Sequence, residues 1–163
     1  MGEMMNKSAI VFVINFFIIF AVLEAGIYFL DFGFIENPLA QLEGNLTGLT
    51  VQRNQLFLGQ GVFEIGSSCS GLVSLSILFA VVFALRKPEL KKKIQIFIAG
   101  AVLLFVINIF RIFLVLLIGK QFGFQAAELA HEISWVATAA FILIFWYYFT
   151  KKIAKIKSFS ELV

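Results

Sequence analysis

This chain is poor in the residues that build disulfides and metal sites. It has one cysteine and one histidine among 163 residues. One cysteine excludes an internal disulfide and a cysteine-rich metal site, and one cysteine with one histidine cannot complete a zinc site. The sequence also has no glycine-rich phosphate loop and no basic face with interleaved aromatic residues. We therefore predict no metal, no cofactor and no nucleic-acid partner.

Charge and proline are also scarce, and apolar residues take their place. Charged residues make up 14% of the chain and prolines number two, whereas 61% is hydrophobic, including 21 phenylalanines. Soluble domains contain about 45–50% apolar residues, so this composition indicates helices that face lipid. At about 20 residues a span, the chain has room for about four. We predict an all-α membrane protein, a four-transmembrane-helix bundle forming one domain over 1–163, with approximate spans 8–30, 69–85, 94–119 and 131–149.

Between the first two predicted spans lies a long acidic loop, 31–68. Its part Leu46–Ile65 alternates apolar and polar residues in places and is interrupted by Gly59-Gln60-Gly61. This pattern predicts a short β-hairpin-like structure on the membrane surface. The glycosylation sequon Asn45-Leu46-Thr47 gives weak support to an extracytoplasmic loop.

The distribution of basic residues predicts the orientation of the spans. Lysine and arginine concentrate in the loop 86–93 and in the tail 150–163, and both are therefore predicted to be cytoplasmic. The acidic loop and the predicted loop Lys120–Ala130 then lie outside, and the N-terminus is cytoplasmic. The first apolar run exceeds a signal-peptide core and no cleavage site follows it, so we expect a retained span. The localisation predicted is a multi-pass protein of the cell membrane.

The single cysteine lies where the polar loop changes into an apolar helix, within Gly66-Ser67-Ser68-Cys69-Ser70-Gly71. Ser67 or Ser68 is predicted to cap the helix. A thiol in the first helical turn lies at the positive end of the helix dipole, which lowers its pKa toward the reactive thiolate. The alternative is that Cys69 is a small buried apolar residue without chemistry.

Three side chains from different spans are predicted to share one depth. At 1.5 Å per helical residue, Cys69, Arg111 and His131 lie about 25, 27 and 30 Å from the basic residues that mark the inner ends of their helices. The hydrocarbon core is about 30 Å thick. A thiol, a guanidinium and an imidazole are thus predicted to meet near the outer membrane boundary.

Each of the two partners of Cys69 has a plainer interpretation. Arg111 near a helix end is able to extend into the headgroups, but Asn108 lies three residues away on the same face, within an apolar run, which favours an inward position for both. His131 at a span boundary is often a surface histidine, here flanked by Glu128 and Glu132.

These residue types permit acyl transfer. A thiol beside an imidazole forms a nucleophile–base pair, in which His131 takes the thiol proton and returns it to a leaving amine. Arg111 is suited to stabilising a developing oxyanion. The backbone N–H groups of Ser70 and Gly71 are further candidates for that task, and Asn108 is a candidate for orienting Arg111.

The segment Cys69-Ser70-Gly71-Leu72, the segment Asn108-Ile109-Phe110-Arg111-Ile112 and His131 together resemble the exosortase/archaeosortase family of membrane cysteine transpeptidases. The resemblance covers roughly Val62 to Phe149, and the chain resembles a minimal four-span core. It implies a sortase-like enzyme with Cys69 as nucleophile and with Arg111 and His131 completing a triad.

The resemblance also implies the partners. Such enzymes cleave surface proteins near a C-terminal sorting signal, made of a short motif, a span and a basic tail, and pass the acyl group to an acceptor, with a membrane lipid expected. The substrate motif, the acceptor, the oligomeric state and the identity of the base stay open. We further hypothesise that Leu46–Ile65 covers the Cys69 site and pairs with an extended substrate as an added strand.

Two other classes of protein remain as alternatives. In a membrane assembly or binding protein without chemistry, Arg111 would pair with Glu24 to lock the bundle. In a small transporter, Glu24, Asn108 and Arg111 would line a polar path. The predicted second span is apolar below Ser76 and the fourth below Thr138, which argues against a conduit.

Overall fold

The computed structural model describes the backbone of residues 2–154 and the side chains of residues 7–153. This part of the chain is mostly helical, with one small sheet. In order, its elements are α1 (Gly2–Phe29), α2 (Gly33–Thr47), β1 (Thr50–Gln52), β2 (Gln55–Leu58), β3 (Gly61–Glu64), α3 (Leu72–Phe83), α4 (Leu90–Phe122) and α5 (Phe124–Ala154).

Three of these helices are long and apolar enough to cross a membrane. The candidate segments are Lys7–Phe29, Leu90–Phe122 and Phe124–Ile153. The predicted span 69–85 corresponds to α3, an apolar helix of 12 residues, which at about 18 Å is shorter than the hydrocarbon core. The membrane character of the protein is therefore confirmed, whereas four spans are not.

The acidic segment after α1 is more ordered than predicted. A helix, α2, occupies much of it, because Leu39, Ala40 and Gly44 form part of a buried stripe at helical spacing. The predicted two-stranded hairpin is in fact an antiparallel meander in the order β1-β2-β3. The sequence analysis missed the tight turn Arg53-Asn54 between β1 and β2, where Arg53 adopts a positive φ of 56°.

A single residue connects the last two helices. The predicted loop Lys120–Ala130 does not exist, because α4 continues to Phe122 and α5 begins at Phe124. Gly123 makes the reversal with φ 92°, and Ala127 of α5 is fully buried in an apolar cluster that also contains Leu116 of α4. His131 therefore lies two turns inside α5 and does not open it. Likewise α4 starts at Leu90, so the second half of the predicted basic loop 86–93 is helical.

Two apolar clusters divide the molecule along the helix direction. The inner cluster, which includes Leu78, Ile96 and Phe145, joins α3, α4 and α5, and aromatic side chains of α1 pack against it. The outer cluster joins α2, the sheet, the ends of α4 and α5, and Cys69. The sheet packs so closely on α5 that a Cβ at Gly61 would clash with the Phe124 ring. The single cysteine is thus built into the outer cluster, beside the sheet.

Candidate functional site

Cys69 lies in a tight turn between β3 and α3 rather than inside a helix. Its backbone N–H and that of Ser70 both donate to the Gly66 carbonyl, at 2.9 and 2.8 Å. Gly71, with φ 91°, is the N-cap of α3, and no side chain caps this helix. The predicted cap at Ser67 or Ser68 is therefore wrong, because a left-handed residue that glycine tolerates separates the turn from the helix.

The thiol and the imidazole are in contact. Cys69 Sγ lies 3.4 Å from His131 Nε2 and 3.6 Å from Nδ1. The sulfur is buried, with 4% of the residue exposed. The Phe63 ring of β3 meets the imidazole edge to face, with centroids 5.6 Å apart. The predicted meeting of Cys69 and His131 is present in the structure.

Burial governs the acidity of the thiol. It raises the pKa of Cys69 to about 11, although the positive charge of Arg111 and a hydrogen bond from Ser68 oppose this rise. The predicted lowering of this pKa is therefore wrong, since Cys69 lies outside the helix and in an apolar core. At neutral pH the thiol keeps its proton, so its use as a nucleophile requires a base that removes the proton.

Asn108 and Arg111 of α4 converge on the carbonyl oxygen of Cys69. Asn108 Nδ2 donates to it at 2.8 Å and Arg111 Nη2 at 3.4 Å. Both side chains are buried, so Arg111 does not extend toward the headgroups. The observed partner of Asn108 is thus the backbone of Cys69. Together the two donors fix the turn that carries the thiol.

Ser70 and Gly71, the two residues predicted to supply oxyanion donors, have different surroundings in the structure. The N–H of Ser70 is committed to Gly66, and its hydroxyl donates to the Ser67 carbonyl at 3.0 Å. A Cβ at Gly71 would lie 3.3 Å from the Asn108 side chain, so glycine here lets Asn108 approach. Ser70 is thus a structural part of the turn in this conformation.

Trp135 is a member of the site that the sequence analysis missed. Its Nε1–H donates to His131 Nε2 at 3.2 Å. The guanidinium carbon of Arg111 lies 5.4 Å from the centre of its ring. The spacing of four residues from His131 was the available signal, because it places both side chains on one face of a helix.

A polar cavity of about 270 Å³ opens beside the thiol–imidazole pair. Its walls include Cys69, His131 and part of β3, together with the carboxyl groups of Glu64, Glu128 and Glu132. Within the described residues, no three histidine, cysteine or acidic side chains are grouped closely enough to hold a metal ion. The cavity therefore gives a ligand of polar character access to the sulfur.

Three membrane-capable helices and a buried thiol in contact with an imidazole define the class, an integral membrane protein with a thiol–imidazole pair. The family model described as "Transmembrane exosortase" matches residues 16–147. The chain belongs to this family, and the predicted resemblance is confirmed. The protein named "Probable archaeosortase D" of Methanocaldococcus jannaschii is 26% identical over 149 residues, covering 90% of this chain and 94% of its own. No solved structure matches the chain.

Proposed function

We propose that this protein is a sortase-like cysteine transpeptidase that cleaves surface proteins near a C-terminal sorting signal. The observation that carries the proposal is the contact of 3.4 Å between Cys69 Sγ and His131 Nε2, at the wall of a polar cavity. Membership of the exosortase family supports the reaction type. Cys69 is the nucleophile, His131 the base, and Arg111 the cation that supports negative charge beside the sulfur.

The proposed reaction has two halves. In the first, His131 takes the thiol proton, the sulfur attacks the scissile carbonyl, and the peptide C–N bond breaks as the proton passes to the leaving amine. This leaves a thioester on Cys69. In the second half an acceptor amine or hydroxyl, proposed to belong to a membrane lipid, attacks the thioester and gives its proton to His131. The proton then returns to the released thiolate.

The geometry supports a fourth crossing of the membrane. The Cys69 carbonyl contacts Arg111, while Leu90 begins α4. The 21 residues between Leu90 and Arg111 rise about 31 Å, so the segment from Cys69 to Leu90 has to cover the same depth. We propose that α3 and its flanks make this crossing, within one membrane domain over 1–163. The cavity then faces the exterior, with both termini in the cytoplasm and the protein in the cell membrane.

The free edge of β3 is the proposed docking place for the substrate. Residues 2–154 contain no strand that pairs with this edge, and Val62, Phe63 and Glu64 line the cavity beside Cys69. An extended peptide added to β3 would have its backbone held by main-chain hydrogen bonds while its scissile bond lies beside the sulfur. The sorting signal's own span would then lie in the bilayer alongside the helices.

The contacts of Arg111 disfavour the non-catalytic alternative. In a bundle lock the guanidinium would bond Glu24, yet its hydrogen bond goes to the Cys69 carbonyl. The Oε1 atom of Glu24 and the Nε and Nη1 atoms of Arg111 have no hydrogen-bond partner among the described residues. Arg111 therefore serves the turn that holds the thiol.

Replacement of the nucleophile tests the proposed function. In cells that make a surface protein with a C-terminal span, Cys69→Ala and Cys69→Ser should leave that protein at its uncleaved size, with processing reduced on the order of 1,000-fold or more. Tyr148→Phe is the matched control, because Tyr148 is an exposed residue of α5 far along the helix from His131. Normal processing in Cys69→Ala cells would refute the proposal.

A further inference from the structure

One indole group contacts both proposed partners of the nucleophile. Trp135 donates its Nε1–H to His131 Nε2 at 3.2 Å, and its ring lies 5.4 Å from the guanidinium carbon of Arg111. His131 and Trp135 are one turn apart on α5, whereas Arg111 comes from α4. Trp135 therefore links the two helices at the level of the thiol.

The hydrogen bond from Trp135 determines which imidazole nitrogen carries the proton. A tryptophan side chain is a donor only, and a neutral imidazole has one donor and one acceptor nitrogen. Because Nε2 accepts from the indole, the proton of neutral His131 lies on Nδ1. A carboxylate beside a catalytic histidine would instead accept a hydrogen bond from the ring and stabilise the charged imidazolium, whereas the indole N–H stabilises the neutral ring.

The same nitrogen is the one nearest to the sulfur. Sγ lies 3.4 Å from Nε2 and 3.6 Å from Nδ1, so it is aligned with neither nitrogen alone. The indole N–H and the thiol S–H therefore compete for a single lone pair. While the indole holds it, the thiol keeps its proton.

The ring face of Trp135 contacts the guanidinium of Arg111. Arg111 is buried, and its Nε and Nη1 atoms have no hydrogen-bond partner among the described residues. A cation within about 6 Å of an indole centre is attracted by the ring. This contact holds the guanidinium near Cys69 at a place where polar partners are few.

We propose that Trp135 is a positioning residue of the site, holding His131 in the Nδ1–H tautomer and Arg111 beneath its ring, so that the thiol stays neutral until Nε2 is released. This inference rests on the proposed function. Release needs only a small rotation of the imidazole, because the sulfur already lies near both nitrogens. A substrate entering the cavity that His131 lines is in place to produce that rotation.

The chain is well suited to a direct test, since it has one histidine, one cysteine and two tryptophans. The purified full-length protein in detergent, labelled with isotopes at histidine, reports the tautomer by nuclear magnetic resonance. Alkylation of Cys69 by iodoacetamide across a pH series reports the thiolate. We expect wild-type His131 to be in the Nδ1–H form, and an Nε2–H form would overturn the proposal without any variant.

Two substitutions separate the two tasks of Trp135. Trp135→Phe keeps a ring over Arg111 but donates no hydrogen bond to Nε2, so the tautomers should mix and the alkylation profile should move to lower pH by about half to one unit. Trp135→Leu removes the ring as well, which weakens the support that Arg111 gives to the thiolate. Its alkylation profile should therefore lie at higher pH than that of Trp135→Phe.

Trp146→Phe is the matched control, because it removes the other indole of α5 from the inner cluster. It should leave the tautomer and the alkylation profile unchanged. An unchanged tautomer and profile in folded Trp135→Phe protein would overturn the proposal. These readouts need no substrate, so they remain decisive even if the surface-protein assay with Cys69→Ala refutes the transpeptidase.

Discussion

Glu43 is a carboxyl group enclosed by the outer cluster. It lies on the buried stripe of α2 and has no exposed surface. Neither of its side-chain oxygens has a hydrogen-bond partner among the described residues. Burial raises the pKa of Glu43 from its ordinary 4.5 to about 7, because an ionised carboxylate loses its hydration in an apolar interior. The folded protein therefore keeps this group protonated under conditions in which an unfolded chain would ionise it.

The stability of the fold should fall as pH rises through this range. Between about pH 4.5 and 7 the folded state binds more protons at Glu43 than the unfolded state, so the free energy of unfolding decreases with pH, by up to about 3 kcal/mol. Glu43→Gln, which cannot ionise, should remove this decrease. Thermal unfolding in detergent at about pH 5 and about pH 8 measures it. The control Glu89→Gln alters an exposed carboxyl and should behave as wild type; an equal pH response in Glu43→Gln would contradict the prediction.

At the same scale, the sequence predicted which residues meet but not how they are connected. That Cys69, Arg111 and His131 share one level along the helices could be predicted because the rise of a helix is fixed. The rotation of a helix about its axis is not fixed when apolar residues surround it, as they do on α5. For this reason the contact of Trp135 with Arg111 could not be derived, and neither could the commitment of the Ser70 N–H to Gly66.

At the scale of elements, the sheet borders the cavity beside the thiol. The sheet presents β3 to the cavity, and its Val62 and Glu64 side chains stay exposed, while Phe63 points into the core. The sequence predicted strand pairing before Cys69 from alternation and from Gly59. The third strand was missed, because Arg53-Asn54 is an unusual turn sequence in which a non-glycine residue takes a positive φ.

Substrate docking on β3 predicts an asymmetry between two paired residues. Val62 of β3 lies opposite Phe57 of β2, and both side chains are partly exposed, at 42% and 37%. Val62 lines the cavity, whereas Phe57 belongs to the central strand. Val62→Asp should lower processing of the surface protein about tenfold or more, because a buried unpaired charge or a repelled substrate costs at least about 1.4 kcal/mol.

The matched variant Phe57→Asp should have a much smaller effect on processing. Alkylation of Cys69 by a small reagent should still proceed in both folded variants, since Cys69 and its contact with His131 are unaltered. Equal losses of processing in the two variants would show that the sheet matters as a scaffold and that the β3 edge does not bind substrate.

At the scale of the whole molecule, charge and helix length are the features from which we propose the orientation and the number of crossings. α4 spans 33 residues, about 50 Å at helical rise, with a basic cluster at its first turn and the sheet near its far end. Lys120 Nζ donates to the Thr47 carbonyl at 2.8 Å, so α2 and the end of α4 lie on the same side. Composition predicted the lipid-facing helices but not the length of α3. The turn at Gly66–Gly71 delays the start of this helix to Leu72, and the apolar pattern does not show where the turn ends.

Labelling of introduced cysteines distinguishes three crossings from four. Cys69→Ala removes the single cysteine, and into this chain Gln52→Cys, Lys87→Cys and Gln121→Cys are introduced singly, all at exposed positions. If α3 and its flanks cross the bilayer, a membrane-impermeant thiol reagent on intact cells should label the cysteines at 52 and 121 but not the one at 87, because the positive-inside rule holds the basic loop in the cytoplasm. All three should react after lysis. Labelling at both 52 and 87 in intact cells would mean that α3 does not cross. Labelling at 87 alone would mean that the orientation is opposite to the proposed one, with the cavity on the cytoplasmic side, away from surface proteins.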